Sequence, residues 1–325
     1  MAIAPTVEAV MQAGGAHIPP LLAAAEERLA ALAAGHGPVL ARHAGDTIAA
    51  GGKRLRPLLV LVVAGQTARA VETVRAAVAV ELIHSATLVH DDVLDAAALR
   101  RGRPTVVATA GRDIATATGD LLFSRAFAEL AANGRPEEVR VLSDASSALA
   151  EGELLQRADA FDRQVTLERY LRRCELKTAS LFEAACRLGA LEAPGGAGVS
   201  EALGAFGRRV GLAFQLLDDV LDVSGPASRT GKTRGADLLD GTVTLPLILA
   251  RERDPELAGV DLRGVVTPER AAEVCDRIEA TGVLAEARRR ALEVVADAKA
   301  ALPELDERRR AALELVADSV VERYA

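Results

Sequence analysis

Apolar residues recur at intervals of three and four along nearly the whole chain, which is the period of an amphipathic α-helix. The chain therefore reads as a series of roughly ten or more helices. Clusters of Gly, Pro, Asn and Asp interrupt the pattern at residues 35–37, 133–136, 193–200, 224–235 and 261–268. Because only the fourth interruption is long and no repeat of about 20 to 50 residues is present, we predict a single all-α domain over residues 1–325.

Composition supports helices and argues against several classes of protein. Hydrophobic residues make up 50% of the chain, but there are six Phe, two Tyr and no Trp, which disfavours a β-sandwich or barrel. A net charge of −7 and few aromatic rings argue against binding to nucleic acid. No uncharged segment approaches the ~18 apolar residues that span a bilayer, so we expect no stable membrane insertion.

The three cysteines, Cys174, Cys186 and Cys275, are odd in number and form no CxxC pair. This usage is typical of reduced thiols in a cytoplasmic protein, where they serve as small core residues.

The pentapeptide Asp-Asp-Val-Leu-Asp occurs twice, at residues 91–95 and 218–222, each time within an apolar helical segment. Asp91 and Asp95 are four residues apart, so their like charges share one helix face and repel each other. A solvated acidic face is the ordinary interpretation, but the apolar flanks weaken it. Mg²⁺, which carboxylates hold together with substrate phosphates, explains the pair better.

The second copy extends this pattern. Gln215, Asp218, Asp219 and Asp222 fall at positions i, i+3, i+4 and i+7, which predicts one continuous polar stripe. Two such stripes facing each other across a cavity would hold a small cluster of metal ions.

Basic residues cluster near the aspartates in the sequence. Residues 51–57 include Lys53 and Arg56, three positions apart at a predicted helix start, and residues 100–103 read Arg-Arg-Gly-Arg. Cations beside a metal site suit an anion with several oxygens, such as a diphosphate. His84 lies seven residues before Asp91 on the same stripe, although a lone histidine is more often an ordinary core residue.

Six ordered segments together resemble the trans-polyprenyl diphosphate synthases, also called polyprenyl synthetases. They are GGKRLRP (51–57), ELIHSATLVHDDVLDAAALRRGRPT (81–105), GD (119–120), LKTAS (176–180), GLAFQLLDDVLD (211–222) and GKTRGADLLDG…TLP (231–246). The resemblance implies an all-α isoprenoid synthase fold, a bundle of helices around a central cavity, and a cytoplasmic homodimer. It also implies Mg²⁺-dependent condensation of an allylic diphosphate with isopentenyl diphosphate, with about three metal ions per active site.

The resemblance also assigns roles by position. It implies that isopentenyl diphosphate is bound by Lys53, Arg56, His84 and Arg101. It implies metal ligation by Asp91, Asp95, Asp218 and Asp222, and binding of the allylic diphosphate by Arg100, Lys177, Thr178, Gln215 and Lys232. The four aspartates with Lys177 and Lys232 are the implied catalytic residues, because they or the metal ions they hold stabilise the charge on the leaving diphosphate.

Two residues depart from the family pattern. Thr242 stands where a lysine is common, and Ala236 where an aspartate is usual. One cation of the expected allylic site is therefore missing.

The residues four and five positions before the first aspartate form the floor of the product pocket in this family. Here they are Thr87 and Ala86, and a residue as small as Ala86 predicts a product beyond C20. Phe123, Phe127 and Phe161 are candidates for a deeper stop, although each is more commonly a plain core residue.

Several alternatives remain open at this point. A shorter-chain farnesyl or geranylgeranyl diphosphate synthase shares these motifs. A class I terpene cyclase would resemble Asn-x-x-x-Ser/Thr-x-x-x-Glu at its second metal motif and would favour aromatic walls that stabilise cations. A non-catalytic subunit of a heteromeric synthase, or a helical scaffold with solvated charges, would need neither aspartate pair.

Overall fold

The computed structural model describes residues 5–49, 52, 54–66, 69–100, 102–193, 195–225 and 233–322, with backbone only at 5, 6, 196, 197 and 322. Within these ranges the chain forms more than ten α-helices and one two-stranded ribbon, so the all-α prediction is confirmed. The core is aliphatic, as the composition predicts, with Val, Leu, Ile and Ala predominant among the buried residues.

The first half of the described chain contains α1 Pro5–Gly14, α2 Ile18–Ala34, α3 Pro38–Ala49, α4 Leu55–Ala64, α5 Ala70–Leu94, β1 Leu99–Arg100, β2 Arg103–Pro104, α6 Val106–Ala110, α7 Arg112–Ala131 and α8 Pro136–Asp159. The second half contains α9 Leu167–Cys174, a π-helical turn Glu175–Ala179, α10 Ser180–Glu192, a 3₁₀ turn Gly196–Val199, α11 Ser200–Ser224, α12 Ala236–Leu239, α13 Leu245–Arg251, α14 Pro255–Gly259, a 3₁₀ turn Leu262–Gly264, α15 Pro268–Ala280, α16 Val283–Ala300 and α17 Glu307–Glu322.

The chain divides into two compact units. Unit 1 comprises Met1–Ser146, Leu181–Gly207 and Ala301–Ser319, and unit 2 comprises Ser147–Ser180, Arg208–Ala300 and Val320–Ala325. The single-domain organisation over residues 1–325 stays a prediction.

Unit 1 is organised around α5, which packs against α2, α4 and α7. Residues 76–83 of α5 are buried without interruption, because this segment is apolar on nearly every face and lies inside the unit. Beyond residue 83 the burial is interrupted, and within the first aspartate segment only Asp92 is buried. The polar end of a central helix thus positions Asp91 and Asp95.

In unit 2, α13 is buried along residues 245–250. Helix α15 begins with a side-chain cap, since the Thr267 hydroxyl accepts a hydrogen bond from the Arg270 amide at 3.2 Å. Burial raises the pKa of Cys275 to about 12, and Cys174 and Cys186 are likewise buried free thiols. No helix in the described ranges combines the length and apolarity needed to cross a bilayer.

Helical periodicity did not predict two features. The short ribbon pairs Leu99 with Pro104 and Arg100 with Arg103, and Gly102 supplies the positive φ of its turn. The π-helical turn at 175–179 interrupts what the apolar spacing presents as one helix.

Candidate active site

The first aspartate segment lies at the carboxyl end of α5. The helix ends at Leu94, Asp95 is its C-cap, and the Asp95 amide donates to the Asp91 carbonyl at 2.8 Å. Asp91 is half-buried and Asp95 is exposed. A helix carboxyl end carries partial negative charge, so two carboxylates here repel both each other and the helix dipole. A bound cation would relieve that repulsion.

The middle aspartate of this segment faces the interior. Asp92 is 5% exposed, and its Oδ1 accepts a hydrogen bond from Arg100 Nε at 2.6 Å. This ion pair ties the ribbon to the end of α5. Arg100, which the resemblance assigns to the allylic diphosphate, therefore also anchors the loop that carries it.

The second aspartate segment lies in the last two turns of α11. Asp218 and Asp222 are half-buried, whereas Asp219 is 3% exposed. The predicted stripe therefore contains side chains of different exposure: Asp219 lies at its buried edge, about 100° around the helix from Asp218, and is hydrogen-bonded to Gln215 one turn away.

Asp219 accepts two hydrogen bonds, from Tyr170 Oη at 2.6 Å and from Gln215 Nε2 at 2.7 Å. Burial, followed by the charge of Asp237, raises the pKa of Asp219 to about 8, although the two hydrogen bonds act in the opposite direction. A divalent cation beside Asp218 would favour the ionised form.

The two copies of the pentapeptide thus share one arrangement. In each, the outer aspartates are more exposed than the middle aspartate, which is buried and hydrogen-bonded within its own unit. Each copy also lies at the carboxyl end of a helix of 25 residues. The outer positions are those that the resemblance assigns to metal binding.

The π-helical turn carries Lys177 and Thr178. Lys177 Nζ forms an ion pair with Glu153 on α8, and Thr178 Oγ1 donates to Gln215 Oε1 at 2.7 Å. The turn approaches α8 very closely, since a Cβ on Gly152 would lie 2.5 Å from the Lys177 amide nitrogen. A glycine is therefore required where α8 meets this turn.

The charge of Glu153 is also set locally. Burial opposes its ionisation, but the charge of Lys177 and the hydrogen bonds from Lys177 and Arg157 outweigh burial and lower the pKa of this carboxyl. Glu153 therefore holds the Lys177 ammonium as one half of an ion pair.

In unit 1, two of the residues assigned to isopentenyl diphosphate, Arg56 and His84, lie on α4 and α5. The Arg56 guanidinium is 4.4 Å from the centre of the Phe182 ring, a cation–π contact that orients it. His84 is half-buried, and its carbonyl accepts from the Thr87 hydroxyl at 2.9 Å. Lys53, Arg101 and Lys232 lie outside the described residues.

The position that the family uses as a pocket floor is filled by a small side chain. Ala86 is fully buried on α5, and Thr87 beside it is half-buried. Of the deeper candidates, Phe123 stacks on His90 at 5.8 Å between ring centroids. Phe161 lies in unit 2 with its ring against Gly241 and under the Arg263 guanidinium.

The residues present fit a magnesium ion that is shared with substrate. Among the residues that the structure covers, no three acidic, His or Cys side chains converge into a cage. Mg²⁺ does not need one, since it is ordinarily held by one or two carboxylates, water and substrate phosphates. The pairs Asp91/Asp95 and Asp218/Asp222 supply carboxylates of that kind at helix ends where positive charge is favourable.

Sequence reasoning missed four residues that form ion pairs or hydrogen bonds next to assigned residues, two in each unit. They are Arg54, Glu81, Glu153 and Tyr170. Glu81 is a charged residue within an apolar run, which indicates a buried and paired carboxylate. Arg54 was overlooked because it lies between two cations already assigned to substrate. Tyr170 and Glu153 carry no local signal, because their partners are 24 or more residues away along the chain.

The family model for polyprenyl synthetase matches residues 38–275. A curated relative, heptaprenyl diphosphate synthase component 2 of Geobacillus stearothermophilus, is 44% identical over 231 residues, which is 70% of this chain and 72% of that protein. Geranylgeranyl diphosphate synthase of Methanosarcina mazei is 37% identical over 265 residues, 79% of this chain and 81% of that protein.

A solved structure is similar over almost the whole fold. The polyprenyl synthase of Caulobacter crescentus, crystallised with calcium and isoprenyl diphosphate, superposes with a TM-score of 0.89 at 35% identity, covering 98% of each chain. The resemblance carried by the six segments is thereby confirmed. The chain belongs to the polyprenyl synthetase family, and it is a prenyltransferase with the all-α isoprenoid synthase fold.

Proposed function

We propose that this prenyltransferase makes a long-chain all-trans polyprenyl diphosphate, beyond C20, by repeated condensation of an allylic diphosphate with isopentenyl diphosphate. The observation that carries the proposal is the shared arrangement of the two aspartate segments. In each segment the two outer carboxylates are the more accessible ones and lie at a helix carboxyl end, whereas the middle aspartate is hydrogen-bonded inside the unit. A purely structural protein would gain no stability from like charges that repel each other at a helix carboxyl end.

In this proposal Asp91, Asp95, Asp218 and Asp222 hold Mg²⁺. The ions supply Lewis-acid stabilisation of the charge that develops on the leaving diphosphate. The remaining steps belong to side chains of the protein.

The allylic diphosphate is oriented by residues of the π-helical turn and its neighbours. Lys177 is held by Glu153 so that its ammonium has a fixed position, and Thr178 is fixed by Gln215. The resemblance assigns Arg100 and Lys232 to the same diphosphate. Fixed cations stabilise the diphosphate as the allylic C–O bond ionises, with no cost of reorganisation at that moment.

Isopentenyl diphosphate is bound by Lys53, Arg56, His84 and Arg101. The contact of Arg56 with the Phe182 ring keeps the guanidinium in one orientation. Its planar fork suits a phosphate with two acceptor oxygens. The double bond captures the allylic cation, and proton loss then regenerates an allylic diphosphate that can react again.

Two observations support a long product. Ala86, at the proposed pocket floor, has a small side chain, which would obstruct a growing tail less than an aromatic residue would. The relative with 44% identity is named a heptaprenyl diphosphate synthase. The geranylgeranyl synthase among the relatives keeps the shorter product as the second candidate. The homodimer and the cytoplasmic location stay predictions.

The test is a product assay on the purified protein with Mg²⁺, farnesyl diphosphate and labelled isopentenyl diphosphate, read by mass spectrometry. Linear products longer than C20 would support the proposal, and products ending at C15 or C20 would replace it with the shorter-chain synthase. A cyclic hydrocarbon would show a cyclase. Turnover only after a second protein is added would show a subunit of a heteromeric enzyme.

A further inference from the structure

A continuous chain of hydrogen bonds in unit 2 links the π-helical turn to the second aspartate segment. Thr178 Oγ1 donates to Gln215 Oε1 at 2.7 Å, Gln215 Nε2 donates to Asp219 Oδ1 at 2.7 Å, and Tyr170 Oη donates to Asp219 Oδ2 at 2.6 Å. Tyr170 is fully buried and Asp219 nearly so. Asp219 thus serves as a junction between α9 and α11.

The chemistry of Asp219 fixes the orientation of every group in this chain. A carboxylate only accepts hydrogen bonds, so Gln215 must present its NH₂ group to Asp219 and its carbonyl oxygen to Thr178. A proton on Oδ2 would leave Oδ1 an acceptor, so the amide keeps this orientation in both protonation states. The Thr178 hydroxyl is then committed as a donor to Gln215, with its lone pairs directed elsewhere.

These hydrogen bonds also join two segments that are distant along the polypeptide. Tyr170 lies on α9 and Thr178 lies in the turn that follows it, while Gln215 and Asp219 are one helical turn apart on α11. Two points of α11 are therefore fastened to two points of the segment that contains Lys177. Asp218, beside the junction, is one of the proposed metal ligands.

We propose that Tyr170 is a positioning residue for the allylic diphosphate. Its hydroxyl holds Asp219, which orients Gln215 and Thr178 and sets the register between the π-helical turn and the carboxyl end of α11. Tyr170 does not touch the substrate in this scheme. The inference rests on the proposed function, because it assumes that Lys177 and Thr178 bind that diphosphate.

The first test is Tyr170→Phe, which removes only the hydroxyl. We expect the KM for the allylic diphosphate to rise roughly tenfold, since the hydroxyl's partner is a buried acid group. The KM for isopentenyl diphosphate should stay within about twofold, because the residues assigned to it are not members of this chain of hydrogen bonds. Thr73→Val is the matched control, because it removes a fully buried hydroxyl whose hydrogen bond, at 2.7 Å, goes to the Arg69 carbonyl in unit 1.

A double-mutant cycle separates positioning from general loosening of the fold. If Tyr170 acts through Thr178, then Tyr170→Phe and Thr178→Val should be strongly non-additive in the allylic KM. The cycle of Tyr170→Phe with Lys53→Ala should be additive.

Asp219→Asn is a second variant that keeps the proposal testable if Tyr170→Phe does not fold. Its amide can still accept from Tyr170, but it must donate to Gln215, which reverses the Gln215 amide and turns Thr178 into an acceptor. The number of hydrogen bonds is conserved, so the melting temperature should change little while the allylic KM rises.

An allylic KM equal to wild type in a folded Tyr170→Phe protein, or in Asp219→Asn when Tyr170→Phe does not fold, would overturn the inference. Additivity in the Tyr170/Thr178 cycle would do so as well. Failure of the proposed function has a different signature, since the unsubstituted protein itself would then elongate no allylic diphosphate.

Discussion

Arg54, which lies between two cations assigned to isopentenyl diphosphate, is ion-paired with the buried carboxylate of Glu81 on α5, three residues before His84. Arg54 adopts a left-handed backbone conformation at φ 50°, and its guanidinium also contacts Glu26 and donates to the Ile48 carbonyl at 2.9 Å. One buried arginine therefore connects the loop before α4 to α2, α3 and α5. These contacts hold Arg54 in its strained backbone conformation.

Replacing Glu81 should show how much this contact contributes to stability. Glu81→Gln leaves the buried guanidinium without its full partner, so we expect the free energy of unfolding to fall by about 3 kcal/mol. Urea denaturation followed by circular dichroism measures it. Glu72→Gln, which breaks the surface pair with Arg69, should cost less than about 1 kcal/mol. Equal effects of the two variants would contradict the role given to Arg54.

The close approach of α8 to the π-helical turn makes Gly152 a second test. In Gly152→Ala the new Cβ would meet the Lys177 backbone at 2.5 Å, so the turn must move. We expect a loss of stability of about 1–3 kcal/mol and a raised allylic KM. Gly45→Ala, on α3 with open space around its Cβ, should instead be neutral or stabilising by up to about 1 kcal/mol. An unchanged allylic KM in Gly152→Ala would show that the turn tolerates displacement.

The outer aspartates should be essential for turnover. Asp91→Asn and Asp218→Asn each remove a charge proposed to hold Mg²⁺, and we expect kcat/KM to fall at least roughly 100-fold. Steady-state assays over a range of Mg²⁺ concentrations measure this. Asp297→Asn, the same change at an exposed position of α16, serves as the control. Wild-type rates in both aspartate variants would exclude the metal assignment.

The product length should respond to the side chain at residue 86. Ala86→Phe fills the fully buried position at the proposed floor of the pocket, so the distribution of products should shift to shorter chains. Mass spectrometry of the extracted products detects the shift. Ala300→Phe, at an exposed helix end, should leave the distribution unchanged. If Ala86→Phe gives the wild-type products, another residue sets the floor.

A buried pair of acids in unit 1 predicts a dependence of stability on pH. Burial, followed by the proximity of the Glu138 carboxyl, raises the pKa of Glu192 to about 8 from an ordinary 4.5. The folded protein therefore binds more protons than the unfolded chain between these values, and stability should fall as pH rises from about 4.5 to about 8. Melting temperatures at pH 5.5 and 8.5 measure the fall. It should be smaller in Glu192→Gln, and an equal fall in both proteins would mean that other groups cause it.

Much of the fold and part of the site could be predicted from sequence because the information is local. A 3.6-residue period identifies helices, and a repeated pentapeptide identifies the aspartates that we propose as metal ligands. The orientation of the middle residue is not local. Asp91 and Asp92 differ by one position, and which of them faces inward depends on the packing of α5 against α2, α4 and α7.

The same reason explains the residues that were missed. Tyr170 meets Asp219 across 49 positions of the chain, and Glu153 meets Lys177 across 24. No spacing rule connects such pairs. The sequence gives no signal for the π-helical turn either, since its apolar spacing is that of the α-helices on either side.

The burial of Tyr170 against Asp219 has a practical consequence. The chain contains no tryptophan and two tyrosines, so this one phenol supplies about half of the tyrosine signal of the protein in the near ultraviolet. Its hydroxyl donates a hydrogen bond to Asp219, which is next in sequence to the proposed metal ligand Asp218. The protein thus carries an intrinsic chromophore beside its candidate active site, and changes there can be followed by tyrosine absorbance or emission without a label.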